Sequence, residues 1–346
     1  MAEKKPIQLI SFGDNKGTTC LTPEVTVNKE AIEWLLKANQ EKHIAVVTVV
    51  GKYRTGKSYI LNRVLLNQNS GFEVGPTVNA CTKGLWVWPE LIPHPHDPTL
   101  QYMVMDTEGL GSLEQGEQTD TRIFLMAMLL SSYFIYNSQG KIDEQAVQSL
   151  SLVISLSKML QKGGDKEASA IMNCFPSFLW LLRDFALRLE DIDGRTISPQ
   201  EYLENALKQQ PGNNDLAKRK NGVRKELVNF FKNRDCFTLV RPVDDEKKLS
   251  NMAKLEDHEL RPKFLELVSQ LRSKVLLGVR KKMFKGKPCS PGMFIELCQH
   301  FCNSINAGGL PEVESNWDMV CRAEASRIEK STIRFTQGAW KTTASS

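Results

Sequence analysis

Gly51-Lys52-Tyr53-Arg54-Thr55-Gly56-Lys57-Ser58 sets two glycines, a lysine and a hydroxyl at the G-x-x-x-x-G-K-[ST] spacing. The glycines let the backbone curl until successive N–H groups face one anion. Lys57 adds a positive charge for the β- and γ-phosphates, and the Ser58 hydroxyl can hold Mg²⁺. Tyr53, Arg54 and Thr55 wrap the turn, and Tyr59 opens a helix whose positive end points at the same anion. Gly51 to Tyr59 is therefore read as the cradle of a nucleoside triphosphate.

A second motif, Asp106-Thr107-Glu108-Gly109, follows a strand-like run at 101–105. A D-x-x-G there is the γ-phosphate sensor of GTPases, with Asp106 reaching Mg²⁺ through water and the Gly109 N–H facing the phosphate. Thr82 is the natural second hydroxyl for Mg²⁺, and Thr77 competes with it. Guanine recognition needs a carboxylate, and two stretches offer one. Gly140-Lys141-Ile142-Asp143 resembles [NT]-K-x-D but comes one strand–helix unit too early. Arg183-Asp184 follows the run 178–182, where the base edge belongs, so Asp184 is assigned to the base and Arg183 to a place beside it. The bland reading of that pair is a surface ion pair. Leu110 stands after the sensor and cannot orient water, so Glu108 is the candidate for that task. On the residues alone, Arg54 is either a solvated loop residue or a cationic fork on the transferring phosphoryl group.

These groups need a scaffold. The β-branched run 44–50 reads as a buried strand leading into the phosphate loop, with an apolar helix behind it (Ile60, Leu61, Val64, Leu65). Strand-like runs recur at 85–88, 101–105, 132–136, 178–182 and 236–240, the first two suited to an antiparallel pair. Ile7 to Phe12 reads as an edge strand. Helical patterns occupy 31–38, 123–130, 147–160 and 256–281, and 208–222 reads as an exposed connection. Strands alternating with helices give an α/β fold with a mostly parallel sheet and helices on both faces. Gly308-Gly309-Leu310-Pro311 is a break, after which Val313, Trp317, Val320, Cys321 and Ile328 form one helical stripe.

The chain has 346 residues, 41% hydrophobic and 25% charged, with a net charge of +5. That mild charge does not argue for nucleic acid. No run reaches the length of a membrane span, and the N-terminus lacks the apolar region of a secretory signal. Its eight cysteines are scattered without zinc-type pairing. Reduced thiols in a cytoplasmic protein are expected, with Cys298 and Cys302 packed as small core residues. His94-Pro95-His96-Asp97 reads as a solvated, proline-rich connection. The basic run at Lys281, Lys282, Lys285 and Lys287 reads as a solvated helix end.

Together these residues resemble the guanylate-binding proteins, large GTPases of the dynamin superfamily. The likeness is carried by the phosphate loop, Thr82-Lys83-Gly84-Leu85-Trp86-Val87-Trp88, Asp106-Thr107-Glu108-Gly109-Leu110-Gly111, Leu182-Arg183-Asp184-Phe185 and Arg241-Pro242-Val243. It implies a P-loop GTPase domain over 1–308 and the truncated start of a helical domain over 309–346. It further implies GTP as substrate with Mg²⁺, and hydrolysis accelerated by nucleotide-dependent homodimerisation of the GTPase domains. Arg54 would be an internal arginine finger, and the loop at Arg241 would cap the base and join the dimer contact. GDP is the implied product, with GMP a further product in some members. Host defence and peripheral work at intracellular membranes, through a missing C-terminal part, belong to the same implied set. Two departures stand out. Ala80 replaces a serine that commonly helps position the attacking water, and the cap loop continues as acidic Asp244-Asp245-Glu246. The acidic loop bears on dimer affinity and pairing partners, while Ala80 and Leu110 keep open a nucleotide-gated scaffold with weak hydrolysis. An atlastin-like membrane tether is the more distant alternative.

Overall fold

The structure is a computed structural model that describes residues 4–13, 24–73, 84–107, 109, 117–151, 175–212, 214–249, 251–284 and 287–307. Its sheet is built from β1 (Ile7–Phe12), β2 (Val25–Val27), β3 (His43–Val50), β4 (Leu85–Val87), β5 (Ile92–Pro93), β6 (Leu100–Thr107), β7 (Tyr133–Gln139), β8 (Ser177–Arg183) and β9 (Arg234–Leu239). The order is β2-β1-β4-β6-β3-β7-β8-β9, with β5 pairing β6. The span from β6 to β9 is parallel throughout, and β1, β2, β4 and β5 pair antiparallel. The expected antiparallel pairing of 85–88 with 101–105 is the β4–β6 ladder.

Alternation along the strands explains why helices cover both faces. In β3, Ile44, Val46 and Val50 feed one core, while Ala45, Val47 and Val49 feed the other. The first core is closed by α1 (Lys29–Lys37), α3 (Glu117–Leu130), α5 (Pro199–Leu207), α6 (Asp215–Phe230) and α8 (Pro291–Asn306). The second is closed by α2 (Lys57–Ile60) with its π-helical continuation Leu61–Leu66, and by α7 (Pro262–Gly278). The short α4 (Glu144–Gln148) follows β7. The α/β class with helices on both faces is what the alternation of patterns predicts.

Several local expectations change. β1 is not at the edge, because the three-residue β2 pairs outside it. The stretch 208–222, read as a connection, contains the first half of α6. Asn214 caps that helix by accepting from Ala217 N–H, and the apolar anchors Val223, Leu227 and Phe230 lie in its second half. The long helix expected over 256–281 is shorter, because Pro262 at its first turn sets the start and Glu256–Glu259 folds as a separate tight turn. The proline-rich loop contributes β5, and His94 Nε2 bonds the Leu276 carbonyl at 2.8 Å. Lys281 is committed to Asp97 and Thr99, and Lys282 is buried with Nζ on the Ser131 carbonyl, so that much of the basic run is not a solvated helix end. Cys298 and Cys302 are buried free thiols of the core, and burial pushes the Cys302 thiol up to about 12. The stripe after residue 308 and most of the helix expected over 147–160 lie outside the described residues. Among the described residues no helix is long and apolar enough to cross a membrane.

Candidate nucleotide site

Three candidate segments stand at the C-terminal ends of parallel strands in one sheet: the phosphate loop after β3, the D-x-x-G at the end of the adjacent β6, and Arg183-Asp184 at the end of β8, with β7 between β3 and β8. In open α/β sheets this edge is where ligands bind. Within the loop, Arg54 has φ 63° and Gly56 has φ 75°, both left-handed. The Thr55 hydroxyl donates to the Lys52 carbonyl at 2.8 Å, and the buried Lys57 sends Nζ toward the same oxygen at 3.4 Å. Lys57 thus lies folded along the loop, close to where phosphate oxygens would replace a carbonyl as its partner. Arg54 is exposed on the turn.

The two hydroxyl and carboxylate groups assigned to the metal meet. Ser58 Oγ donates to Asp106 Oδ2 at 2.6 Å, and Asp106 Oδ1 accepts from the Thr107 N–H at 2.9 Å. Asp106 is fully buried, and Thr107 ties β6 to β3 through the Val49 carbonyl. Hard oxygen donors brought together beside a lysine suit Mg²⁺ well. Gly109 reaches the phosphate loop: a Cβ built on it would lie 2.3 Å from Tyr53 Cα, so no larger residue fits. Thr82 and Glu108, like Thr77, Ala80 and Leu110, lie outside the described residues.

Asp184 sits in a left-handed backbone with φ 55°. Its Oδ2 accepts from Gln139 Nε2 at 3.3 Å, and its Oδ1 is buried with no hydrogen-bond partner among the described residues. A buried acceptor left open costs about 1–3 kcal/mol, so it signals a ligand or an ordered water. Arg183 goes elsewhere. Its guanidinium is buried under the phosphate loop, with Nη1 3.4 Å from the Thr55 carbonyl and 3.5 Å from that of Gly56. Burial lowers its pKa, an effect that Asp184 opposes. The guanidinium of Arg183, expected beside the base, therefore lies against the main chain of the phosphate loop. Tyr59 likewise faces inward, packed on Phe264 at a ring distance of 6.5 Å. Tyr53 touches Gly109 through its main chain.

Arg241 lies two residues past β9, and β9 pairs with β8 up to Arg183 and Leu239, so the loop that carries Arg241 leaves the same edge as Asp184. Its acidic residues have local work. Asp244 pairs with Arg261 at 3.5 Å, and Asp245 accepts from the Lys247 and Lys248 N–H groups at the short helix Glu246–Leu249. Sequence reasoning missed Asn137 and Gln139. The available signal was their position at the end of the apolar run 132–136, on the strand between the phosphate loop and Arg183-Asp184.

A G-x-x-x-x-G-K-[ST] loop after β3, a D-x-x-G at the end of β6 and an Arg-Asp pair at the end of β8, all on one edge of a mostly parallel sheet, fit a P-loop GTPase fold. A sequence model of the family described as Guanylate-binding protein, N-terminal domain, matches residues 22–283, and the chain belongs to that family. It is 38% identical over 300 residues to human Guanylate-binding protein 6, covering 84% of this chain and 46% of that protein. Against mouse Guanylate-binding protein 3 it is 36% identical over 323 residues, covering 91% of this chain and 51% of the other. Against Guanylate-binding protein 1 of Chlorocebus aethiops it is 37% identical over 320 residues, with 90% and 53% covered. The chain spans about half the length of the curated relatives it matches.

Proposed function

We propose that this chain binds GTP with Mg²⁺ and hydrolyses it, and that its GTPase domain associates with a second copy when nucleotide is bound. The observation that carries the reading is the open Asp184 Oδ1 on the same sheet edge as Lys57 and the Ser58–Asp106 pair. A guanine offers N1–H and an exocyclic amine to such a carboxylate, while an adenine offers no matching pair of donors. Ser58, Asp106 and Thr82 would hold Mg²⁺, which supplies positive charge to the β- and γ-phosphates when bound.

In this reading water attacks the γ-phosphorus and GDP leaves, so the oxygen bridging β and γ takes on charge. Lys57 meets charge on the phosphates, and Arg54 on the exposed turn adds a second cation at the transferring group. Glu108 positions the water. A well-placed arginine is worth about 10³–10⁵ in rate. Arg241, on the loop beside Asp184, would cap the base and join the contact with the second copy. GMP would form only if a second phosphate is cleaved in the same site. Residues 309–346 would open a helical domain.

Displacement of a fluorescent guanine nucleotide by GTP but not by ATP tests the base assignment; equal displacement would remove it. Sedimentation with GDP, a non-hydrolysable GTP analogue and a transition-state mimic tests self-association. Ala80 and Leu110 favour a second reading, a scaffold that binds GTP and barely hydrolyses it. Single-turnover hydrolysis separates the two, since Arg54→Ala would change little in a scaffold.

A further inference from the structure

Asn137, the fifth residue of β7, is fully buried, and its side-chain nitrogen is spent on the phosphate loop. Its Nδ2 donates to the Thr55 carbonyl at 2.9 Å and to Thr55 Oγ1 at 3.0 Å. The amide orientation follows from chemistry: the Thr55 carbonyl can only accept, so nitrogen must face it. Thr55 Oγ1, accepting from Asn137, passes its own proton to the Lys52 carbonyl, which also receives Lys57 Nζ. A relay of hydrogen bonds therefore runs from β7 through Thr55 to Lys52 and closes the ends of the turn. Main-chain contact reinforces it, because a Cβ on Gly51 would lie 2.2 Å from the Asn137 carbonyl oxygen.

Between the two clamped residues, Lys52 and Thr55, stand Tyr53 and Arg54. Arg54 holds φ 63°. A long side chain adopts left-handed backbone only where its surroundings impose it, and such strain gathers at working sites. The clamp holds both residues that flank this turn. Arg183 approaches the Thr55 and Gly56 carbonyls only at 3.4 and 3.5 Å, so the short bonds to Thr55 come from Asn137.

We infer that Asn137 is a positioning residue for Arg54: by holding Thr55 it sets the turn that aims the guanidinium at the phosphates. The inference deepens the proposed GTPase reading and rests on Arg54 acting in hydrolysis. The Gly56-Lys57-Ser58 part of the cradle is anchored separately at the start of α2, where the Ile60 N–H bonds the Gly56 carbonyl. Loss of the clamp should therefore reach rate before affinity.

The test uses the whole chain and compares wild type, Arg54→Ala, Asn137→Ala, Asn137→Asp and the Arg54→Ala/Asn137→Ala double variant. Asn137→Asp keeps the shape but has only acceptors to offer the Thr55 carbonyl. The readouts are kcat and KM for GTP, affinity for a fluorescent GDP analogue, and thermal unfolding. Asn137→Ala should lower kcat by about 10–100-fold, the scale of a small misplacement of a catalytic group. GDP-analogue affinity should stay within about threefold, the mark of an interaction made in the transition state. In the Arg54→Ala background the same substitution should change kcat by less than about twofold, because the groups act as one unit. Asn137→Asp should match or exceed the loss, and Asn137→Ser, too short to reach Thr55, stands in if alanine fails to fold. A full Asn137→Ala loss on top of Arg54→Ala overturns the positioning role alone. Equal loss of GDP-analogue affinity does so too, since it makes the clamp a general support. An Arg54→Ala variant with unchanged kcat overturns the arginine reading and this inference with it.

Discussion

The loops after β7 and β8 lie side by side, and each carries an aspartate that sequence alone offers for the guanine base. After β7 several polar groups have local partners. Asp143 caps α4 by accepting from the Ala146 N–H at 2.9 Å, and Glu144 meets the buried Arg224 at 2.8 Å. The Ile142 N–H reaches the Tyr202 hydroxyl, and the Gly140 N–H reaches the Arg183 carbonyl. After β8, Asp184 is left-handed, and among the described residues its Oδ1 and the buried Arg183 Nε have no hydrogen-bond partner. Asp143, in the more familiar motif, is spent on a helix cap, and Asp184, in the less familiar one, keeps an oxygen without a partner among the described residues. Incomplete satisfaction is tolerated where a ligand completes it.

The sharpest break of this comparison is Asp184→Asn against Asp143→Ala. The first should weaken guanine nucleotide binding by about 10²–10⁴, because buried polar recognition groups are left mismatched. The second should leave it within about twofold, since Asp143 has only a helix to cap. Titration with a fluorescent guanine nucleotide reads both, and a reversed order would move the base to the β7 loop.

Next in size is Arg183→Met. A buried cation with only long contacts has a desolvation cost that is poorly repaid, so the nucleotide-free protein should melt no lower than wild type. Loss of the brace under Thr55 and Gly56 should still weaken nucleotide binding by about tenfold. Lower stability with unchanged affinity would return Arg183 to a purely structural role.

Asp143→Ala should cost about 1 kcal/mol of stability through the lost cap, measured by denaturant unfolding. The smallest effect concerns Glu144, whose carboxyl the Arg224 hydrogen bond holds below its ordinary value of 4.5. A depressed carboxylate stabilises the fold above that ordinary value, and the contribution is lost as pH falls through the folded-state pKa. Glu144→Gln should lower the melting temperature by about 1–3 °C at pH 7, and the gap should close progressively below pH 4.5. A gap that widens in acid would contradict the pairing.

Much of the candidate site was legible in the sequence, for reasons that are local. The G-x-x-x-x-G-K-[ST] loop needs only its own backbone and the strand before it, so Gly51 to Ser58 could be read from spacing, and Asp106 from its strand. Helix ends were harder to place, because a cap such as Asn214 or a first-turn proline such as Pro262 decides them against the apolar pattern. The split roles of Arg183 and Asp184 could not be read at all, since neighbours on a strand point to opposite faces and only packing shows what each face meets. Asn137 was silent for the same reason. Its partner Thr55 lies far off in sequence and comes within hydrogen-bond reach only because β7 pairs beside β3. Short-range chemistry thus belonged to the sequence of this protein. Which carboxylate stays open, and which amide holds the arginine turn, were decided by strand pairing, which joins groups that no local pattern connects.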